Sequence, residues 1–320
     1  KLSKVYLEND PIQTQEYSEV WHYKDWAKNF HDYSSEDIGI DLVAKLRNQE
    51  GYCAIQCKSY NSDHSISKSD IDSFISASST NDFKRIVLID TSEKSIGKNA
   101  KKVIDNLDKE YSRIKVSSFE SSPIDWDRLV NGDGEIKFLS KKELREDQEL
   151  VKEKVCKGLK EQDRGKIIMA CGTGKTLTSL RIAEEFAGEG KMVLFMVPSL
   201  ALMSQVVREW KNDAKNEFLA FSACSDKKVG NKKSIEDTFE IEPSDLEFPA
   251  TTNAEKLSLQ IKNSNNDQMI VVFSTYHSIG VISNSQFKYG LREFDLIICD
   301  EAHRTTGATL VEEDESNFVK

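Results

Sequence analysis

Two short stretches of this chain carry residues whose types and spacing can do chemistry. In the first, IGIDLVAKLRNQEGYCAIQCKSY at 38–60, Asp41 closes the first apolar run, Lys58 closes the second, and Gln56 lies two positions before Lys58. If GIDLVA and YCAIQCK are antiparallel strands joined by the polar turn RNQEG, Gln56 and Lys58 project from one face, where Asp41 can meet them. Phosphodiester hydrolysis needs Mg²⁺ held by hard oxygen ligands and a positive group near the attacking water or the transition-state charge. Asp41 offers a carboxylate oxygen, Gln56 an amide oxygen, the carbonyl of Cys57 another, and Lys58 the charge. Gln56 offers a neutral amide rather than a carboxylate, and an amide binds metal less tightly. From these residues alone an active DNA-cutting site, a decayed one and a plain hairpin all stay open.

The second stretch is KIIMACGTGKTLTSL at 166–180: an apolar run, a glycine turn, then Lys175 and Thr176 opening a helix. This is phosphate-cradle chemistry. Gly172 and Gly174, with Thr173 between them, let the backbone bend so that its N–H groups face phosphate oxygens. Lys175 can then reach the β/γ-phosphates and the Thr176 hydroxyl can bind Mg²⁺. The general phosphate-loop pattern has glycine at position 169, which here is Met169. The second half of such a site is supplied by DLIICDEAH at 295–303, an apolar run ending in two carboxylates. Asp300 is placed to hold Mg²⁺ and Glu301 to orient or deprotonate the attacking water.

The elements that must position these groups follow from periodicity. The first half reads as mixed α/β: a helix at 14–29, strands at 38–46 and 51–58, a helix at 68–78, a strand at 85–90, a helix at 97–110 and a strand at 113–117. The pattern loosens between Ser118 and Lys141, where a Pro and two Gly stand among polar residues, and the domain boundary is expected there. Beyond it, helices at 144–160, 174–187, 200–213 and 252–262 alternate with strands at GKIIMA, KMVLFMVP, 217–223, MIVVFST and FDLIICD, which predicts parallel βαβ units in a doubly wound sheet. The polar, acidic stretch from Ser225 to Asp267 reads as a solvated surface insertion. The expected organisation is a domain over 1–118, a linker over 119–141 and an ATPase lobe over 142–320.

Composition bounds the partners. With 44 Lys+Arg against 54 Asp+Glu, the net charge of −10 gives no global signature of a nucleic-acid binder, so any DNA contact must be local. Cys53, Cys57, Cys156, Cys171, Cys224 and Cys299 form no C-x-x-C pair and read as reduced core thiols of a cytoplasmic protein. No apolar run approaches the ~18 residues that span a bilayer, so no membrane role is expected.

Together, MACGTGKT and DEAH resemble superfamily 2 helicases and DNA translocases. That likeness implies that Gln148 of LREDQ reads adenine with Arg145 beside it, and that His303 couples hydrolysis to movement. It also implies that Ser199 of VPSLALMSQ and Thr275 of FSTYHSI touch the nucleic-acid backbone. Arginines brought to the γ-phosphate by a second RecA-like lobe are not found up to Lys320, so this piece alone is expected to hydrolyse ATP poorly; such a group is worth roughly 10³ to 10⁵ in rate.

The D-x(n)-Q-x-K pattern resembles the Mrr-like branch of the PD-(D/E)XK nucleases, in which Gln at this place is compatible with cleavage; Glu19 and Asp37 are candidate further carboxylates. Taken in order, EVWHYKDW, DIGIDLVAK, AIQCKSY, IDSFISAS, SPIDW and the helicase block resemble the single-chain type ISP restriction enzymes. The fold implied is a restriction-endonuclease-like domain followed by a RecA-like parallel-sheet lobe. The function implied is ATP-dependent, Mg²⁺-dependent cutting of double-stranded DNA, with methyltransferase and target-recognition domains in the same full-length chain and a second DNA-bound complex as cleavage partner. Two other readings remain: a defence or repair helicase-nuclease without a methyltransferase, and a motor carrying a non-catalytic DNA-binding domain.

Overall fold

A computed structural model describes residues 1–29, 38–170, 172–224, 246–264 and 267–302. The chain divides into two compact units, one of Lys1–Lys142 with Ile241–Pro249, the other of Glu143–Glu240 with Ala250–Lys320.

The first unit is built on a five-stranded sheet in the order β1-β2-β3-β4-β5, with β1 at Tyr17–His22, β2 at Leu42–Leu46, β3 at Tyr52–Lys58, β4 at Phe83–Asp90 and β5 at Glu110–Lys115. The first three strands pair antiparallel and the last three parallel. Parallel neighbours need crossovers, supplied by α4 (Lys68–Ala77) and α5 (Lys98–Ile104). Both faces of the sheet are covered, so β2 does not alternate apolar with polar. Leu42, Ala44 and Leu46 pack with Tyr6 and Leu7 of α1 (Leu2–Asn9), while Val43 faces Trp26 of α3 (Tyr23–Ala27) and Phe74 of α4.

The helix expected over 14–29 is instead a short helix α2 (Gln13–Glu16), then β1, then α3. A register shift between Tyr17 and Glu19 puts Tyr17 and Val20, three apart, on the buried side of the strand. Tyr23 and Trp26 continue the same spacing inside α3. A bulged strand running into a helix thus imitates helical periodicity. The helix expected over 97–110 stops at Ile104, because Glu110 already pairs with Arg85 in the sheet.

In the second unit the five strands are all parallel, in the order β10-β6-β9-β7-β8. They comprise β6 (Met192–Val197), β7 (Phe218–Ala223), β8 (Ala250–Thr251), β9 (Met269–Thr275) and β10 (Leu296–Cys299). Every residue of β6 and β9 is buried, as expected of central strands with helices on both faces. One face carries α11 (Ala254–Lys262) and α12 (Ile279–Phe287); the other carries Trp210 of α10 (Leu200–Asp213), which meets Phe195 and Phe273 edge-on at centroid distances of 5.0 and 5.7 Å. GKIIMA is not a strand here: residues 165–170 make no ladder, β10 pairs with β6 only, and Ile168 is 84 % exposed. An apolar run predicts burial without naming the partner that supplies it. The expected solvated insertion is also not uniform, since Leu246, Glu247 and Phe248 are buried in the first unit, where Glu247 accepts from Tyr6 Oη at 3.0 Å; residues 225–245 lie outside the described residues.

Candidate active sites

In the first unit the site forms where the residues just before β2 meet the end of β3. Asp41 is clamped by its own backbone: its N–H donates to Ile55 O at 2.9 Å and its carbonyl accepts from Tyr23 N–H at 3.0 Å. Its side chain then extends the ladder, Oδ2 accepting from the Cys57 N–H at 2.7 Å. Gln56 is 2 % exposed; its Nε2 donates to Gly39 O at 2.9 Å, and its buried Oε1 has no hydrogen-bond partner. Gly39 turns its carbonyl toward that amide at φ +89, a conformation that L side chains rarely adopt.

A buried acceptor oxygen left unpaired costs about 1–3 kcal/mol, and this one belongs to the residue before Cys57, whose N–H holds the exposed Asp41 carboxylate. Amide and carboxylate oxygens suit a hard divalent cation, so the residue types fit Mg²⁺. Among the described residues no group of three or more His, Cys, Asp or Glu could hold a metal; what the described residues add to Asp41 is the amide oxygen and backbone oxygens.

Lys58 is half-buried and pairs in register with Asp90 of β4. Asp90 is committed elsewhere: Arg113 donates to its Oδ2 at 2.7 Å and its Oδ1 at 2.9 Å, and both side chains are fully buried. Burial pushes the Cys57 thiol up, with a smaller contribution from the Asp41 charge, so its sulfur is a neutral neighbour. Glu19 lies opposite Lys45, four residues along β2 from Asp41, or about 13 Å at strand spacing. The structure therefore does not bring Glu19 to Asp41, and Asp37 lies outside the described residues.

Sequence reading missed the brace beyond Lys58. His64 stacks on Tyr60 at 4.2 Å and its Nε2 lies 3.0 Å from Asp70 Oδ2. Burial raises the Asp70 carboxyl, but the Ser67 N–H, the Ser67 hydroxyl and His64 outweigh it and hold it below its usual value. Burial and Asp70 together push the Tyr60 phenol up to about 12. The S-x-x-D spacing of Ser67 and Asp70, a capping box for α4, was the available signal.

In the second unit the phosphate-cradle turn leads into α9 (Lys175–Phe186). Gly174 caps that helix at φ +84, and a Cβ there would fall 2.2 Å from Gln148 Nε2. Gln148 is buried in α8 (Glu146–Gly158), and its amide is used at both ends: Oε1 accepts from the Arg145 N–H at 2.9 Å and Nε2 donates to Thr173 O at 2.8 Å. Arg145 Nη2 reaches the same carbonyl at 2.9 Å. LREDQ therefore holds the glycine turn in shape. Trp210 does the same for the helix start, donating from Nε1 to Thr176 O at 3.1 Å.

Lys175 Nζ meets Glu301 Oε1 at 3.0 Å, bringing the two halves of the expected site together. Asp300 follows β10, its N–H held by Met196 O at 2.9 Å. Lys175, Thr176, Asp300 and Glu301 line a cavity of about 1430 Å³ that continues along residues 165–170. A helix N-terminus with a lysine, a hydroxyl and two carboxylates fits a nucleotide triphosphate with its Mg²⁺. Ser199 caps α10, its Oγ accepting from the Leu202 N–H at 3.3 Å. Thr275 is buried, its hydroxyl 2.7 Å from Ser278 Oγ. Ser199 follows β6 and Thr275 ends β9, neighbouring parallel strands, so both lie at the C-terminal ends of strands. His303 lies outside the described residues, as does Cys171. Of the other cysteines, Cys53, Cys156 and Cys224 are buried as expected, Cys57 is half-buried and Cys299 is exposed.

A mixed-sheet unit followed by an all-parallel-sheet lobe is the architecture of a restriction-endonuclease-like domain joined to a RecA-like lobe. Residues 8–136 match the family model described as restriction endonuclease. Residues 141–318 match the type III restriction enzyme res subunit, and the chain belongs to that family.

The chain also resembles the ATP-dependent type ISP restriction-modification enzyme LlaBIII, solved bound to DNA, at 35% identity over 99% of its length with a TM-score of 0.81. It spans 20% of that protein. A nuclease-deletion mutant of the type ISP enzyme LlaGI, in complex with a DNA substrate mimic, is 40% identical over 51% of this chain and 15% of that one, with a TM-score of 0.42. No curated protein matches the chain. Among the described residues no helix is long and apolar enough to cross a membrane.

Proposed function

We propose that this chain supplies the nuclease domain and first motor lobe of a cytoplasmic, ATP-dependent, site-specific restriction endonuclease that moves along double-stranded DNA and cuts it after meeting another DNA-bound complex. The observation that carries the nuclease half is the clamped Asp41 carboxylate at the end of β3, together with a buried Gln56 Oε1 that has no hydrogen-bond partner among the described residues. Asp41, Gln56 and the Cys57 carbonyl would hold Mg²⁺, which supplies a Lewis acid for phosphodiester hydrolysis. Lys58 would stabilise charge at the phosphate.

In the motor half, Lys175 and Thr176 would hold the phosphates and Mg²⁺ of ATP with Asp300, and Glu301 would orient the attacking water. Arg145 and Gln148, with Gly172, Thr173 and Gly174, would shape the nucleotide pocket. Ser199 and Thr275 would meet the DNA backbone, and His303 would link hydrolysis to movement. The full-length type ISP relative is about five times longer than this chain, which supports methyltransferase and target-recognition domains in the same polypeptide.

The test is Asp41→Ala and Lys58→Ala in the full-length enzyme. Both abolish Mg²⁺-dependent cleavage while ATPase and DNA binding persist; cleavage that survives in either refutes the nuclease assignment. Lys175→Ala abolishes ATPase and translocation and leaves the Mg²⁺ response at Asp41 intact.

A further inference from the structure

Tyr276 is the residue after Thr275, in the single 3-10 turn Tyr276–Ser278 between β9 and α12. Its ring is buried in the core on the α11–α12 side, and its hydroxyl donates to Asp300 O at 2.7 Å, although β6 lies between β9 and β10 in the sheet. Burial, with the neighbouring Cys299 thiol and Asp300 carboxylate, pushes the Tyr276 phenol up, so it remains a donor at neutral pH.

The accepting carbonyl belongs to the Asp300–Glu301 peptide. Its other end is fixed as well, because the Glu301 N–H donates to Asp300 Oδ1 at 3.0 Å. The residue that follows this pinned peptide is Glu301, at φ +51 the only non-glycine with positive φ among the described residues. L side chains rarely adopt that conformation, and here it delivers the Glu301 carboxylate to Lys175 Nζ at 3.0 Å.

We propose that Tyr276 is a positioning residue for ATP hydrolysis. By holding the Asp300–Glu301 peptide it aims Glu301. The inference rests on the reading of Lys175, Asp300 and Glu301 as the ATP site. It assigns the aim of Glu301 to one hydroxyl.

The experiment compares the full-length enzyme with Tyr276→Phe and with para-aminophenylalanine at the same position, which keeps an N–H donor. Steady-state ATPase is measured with and without unmethylated bacteriophage genomic DNA. Tyr276→Phe lowers the DNA-stimulated kcat about five- to tenfold, the worth of one hydrogen bond, while KM for ATP stays within about twofold. The donor-bearing analogue restores kcat. A Phe variant with wild-type kcat overturns the proposal. A loss that the donor-bearing analogue fails to restore also overturns it, because it assigns the effect to ring packing. Lys175→Ala, run in parallel, separates this from the parent reading: if it leaves ATPase unchanged, the ATP-site assignment itself fails.

Discussion

Replacing Gln56 with Glu isolates what the buried amide does. The side chain is 2 % exposed and its Nε2 donates to Gly39 O at 2.9 Å. Gln56→Glu removes that donor and sets a charged oxygen against a carbonyl. The lost hydrogen bond costs about 1 kcal/mol and the unpaired buried carboxylate about 2 kcal/mol more. For a unit of this size roughly 3 kcal/mol lowers Tm by about 6–12 °C.

The penalty should be largest in a chelator and shrink with Mg²⁺, because a ligated carboxylate is no longer unpaired; at a hundred times Kd, binding returns about 2.7 kcal/mol. Acid should relieve it too. Burial raises the introduced carboxyl above its unfolded value of about 4.3, so the penalty is complete above the folded pKa and fades as pH falls toward the unfolded one. Calorimetry of the full-length protein, with and without Mg²⁺, reads this directly. If Gln56→Glu melts with the wild type in chelator, or if Mg²⁺ raises its Tm no more than that of the wild type, the assignment of Gln56 as a metal-facing oxygen is wrong.

Three further outcomes follow from the geometry. Gly174→Ala combines a backbone at φ +84 with a Cβ 2.2 Å from Gln148 Nε2; it should lose nucleotide binding by titration and destabilise the second unit by at least ~1 kcal/mol, without altering the Mg²⁺ response of the first. Asp70→Asn should cost about 1 kcal/mol near neutral pH by weakening the capping box. Because the Asp70 carboxyl is held low in the fold, its stabilisation is complete above the unfolded value of ~3.9 and disappears as pH falls through the folded one, so the wild-type and variant melting curves should converge in acid. Trp210→Phe keeps most of the ring packing but removes the bond to Thr176 O; ATP affinity should fall about two- to tenfold, and unchanged affinity would show that α9 needs no such support.

What the sequence disclosed depended on whether local pattern and tertiary partner agreed. The hairpin around Asp41 and Gln56 was legible because two apolar runs met at a polar turn, and the structure brings those residues together. The phosphate loop and DEAH were legible because each pairs a strand or turn with an immediate charge, and Lys175 meets Glu301. Failures came where burial was supplied from outside the segment. The bulge in β1 gave Tyr17 and Val20 a helical spacing. The apolar KIIMA promised a strand, yet no ladder partner stands beside it among the described residues. Leu246 and Phe248 were hidden inside a stretch whose average is polar. Tyr276 gave no signal, because its importance lies in one bond across the end of a neighbouring strand.

The two sites keep their charges compensated by opposite means, and that difference has a functional consequence. In the first unit the surrounding charges are settled by fixed partners: Asp41 takes the Cys57 N–H and Asp90 takes Arg113. Position 56 adds a neutral oxygen. A buried carboxylate there would make the fold depend on a cation, whereas the amide leaves an unpaired acceptor that costs about 1–3 kcal/mol and offers a neutral, weaker ligand. Gln56 Oε1 has no hydrogen bond among the described residues to give up to a cation. In the second unit Lys175 is held by Glu301 across 3.0 Å, so a phosphate that meets Lys175 would exchange places with a carboxylate. If both assignments hold, the metal step of the nuclease is limited by weak affinity and the nucleotide step of the motor by an exchange of partners. Titrating Mg²⁺ should then change the cutting rate at concentrations where ATPase is already saturated.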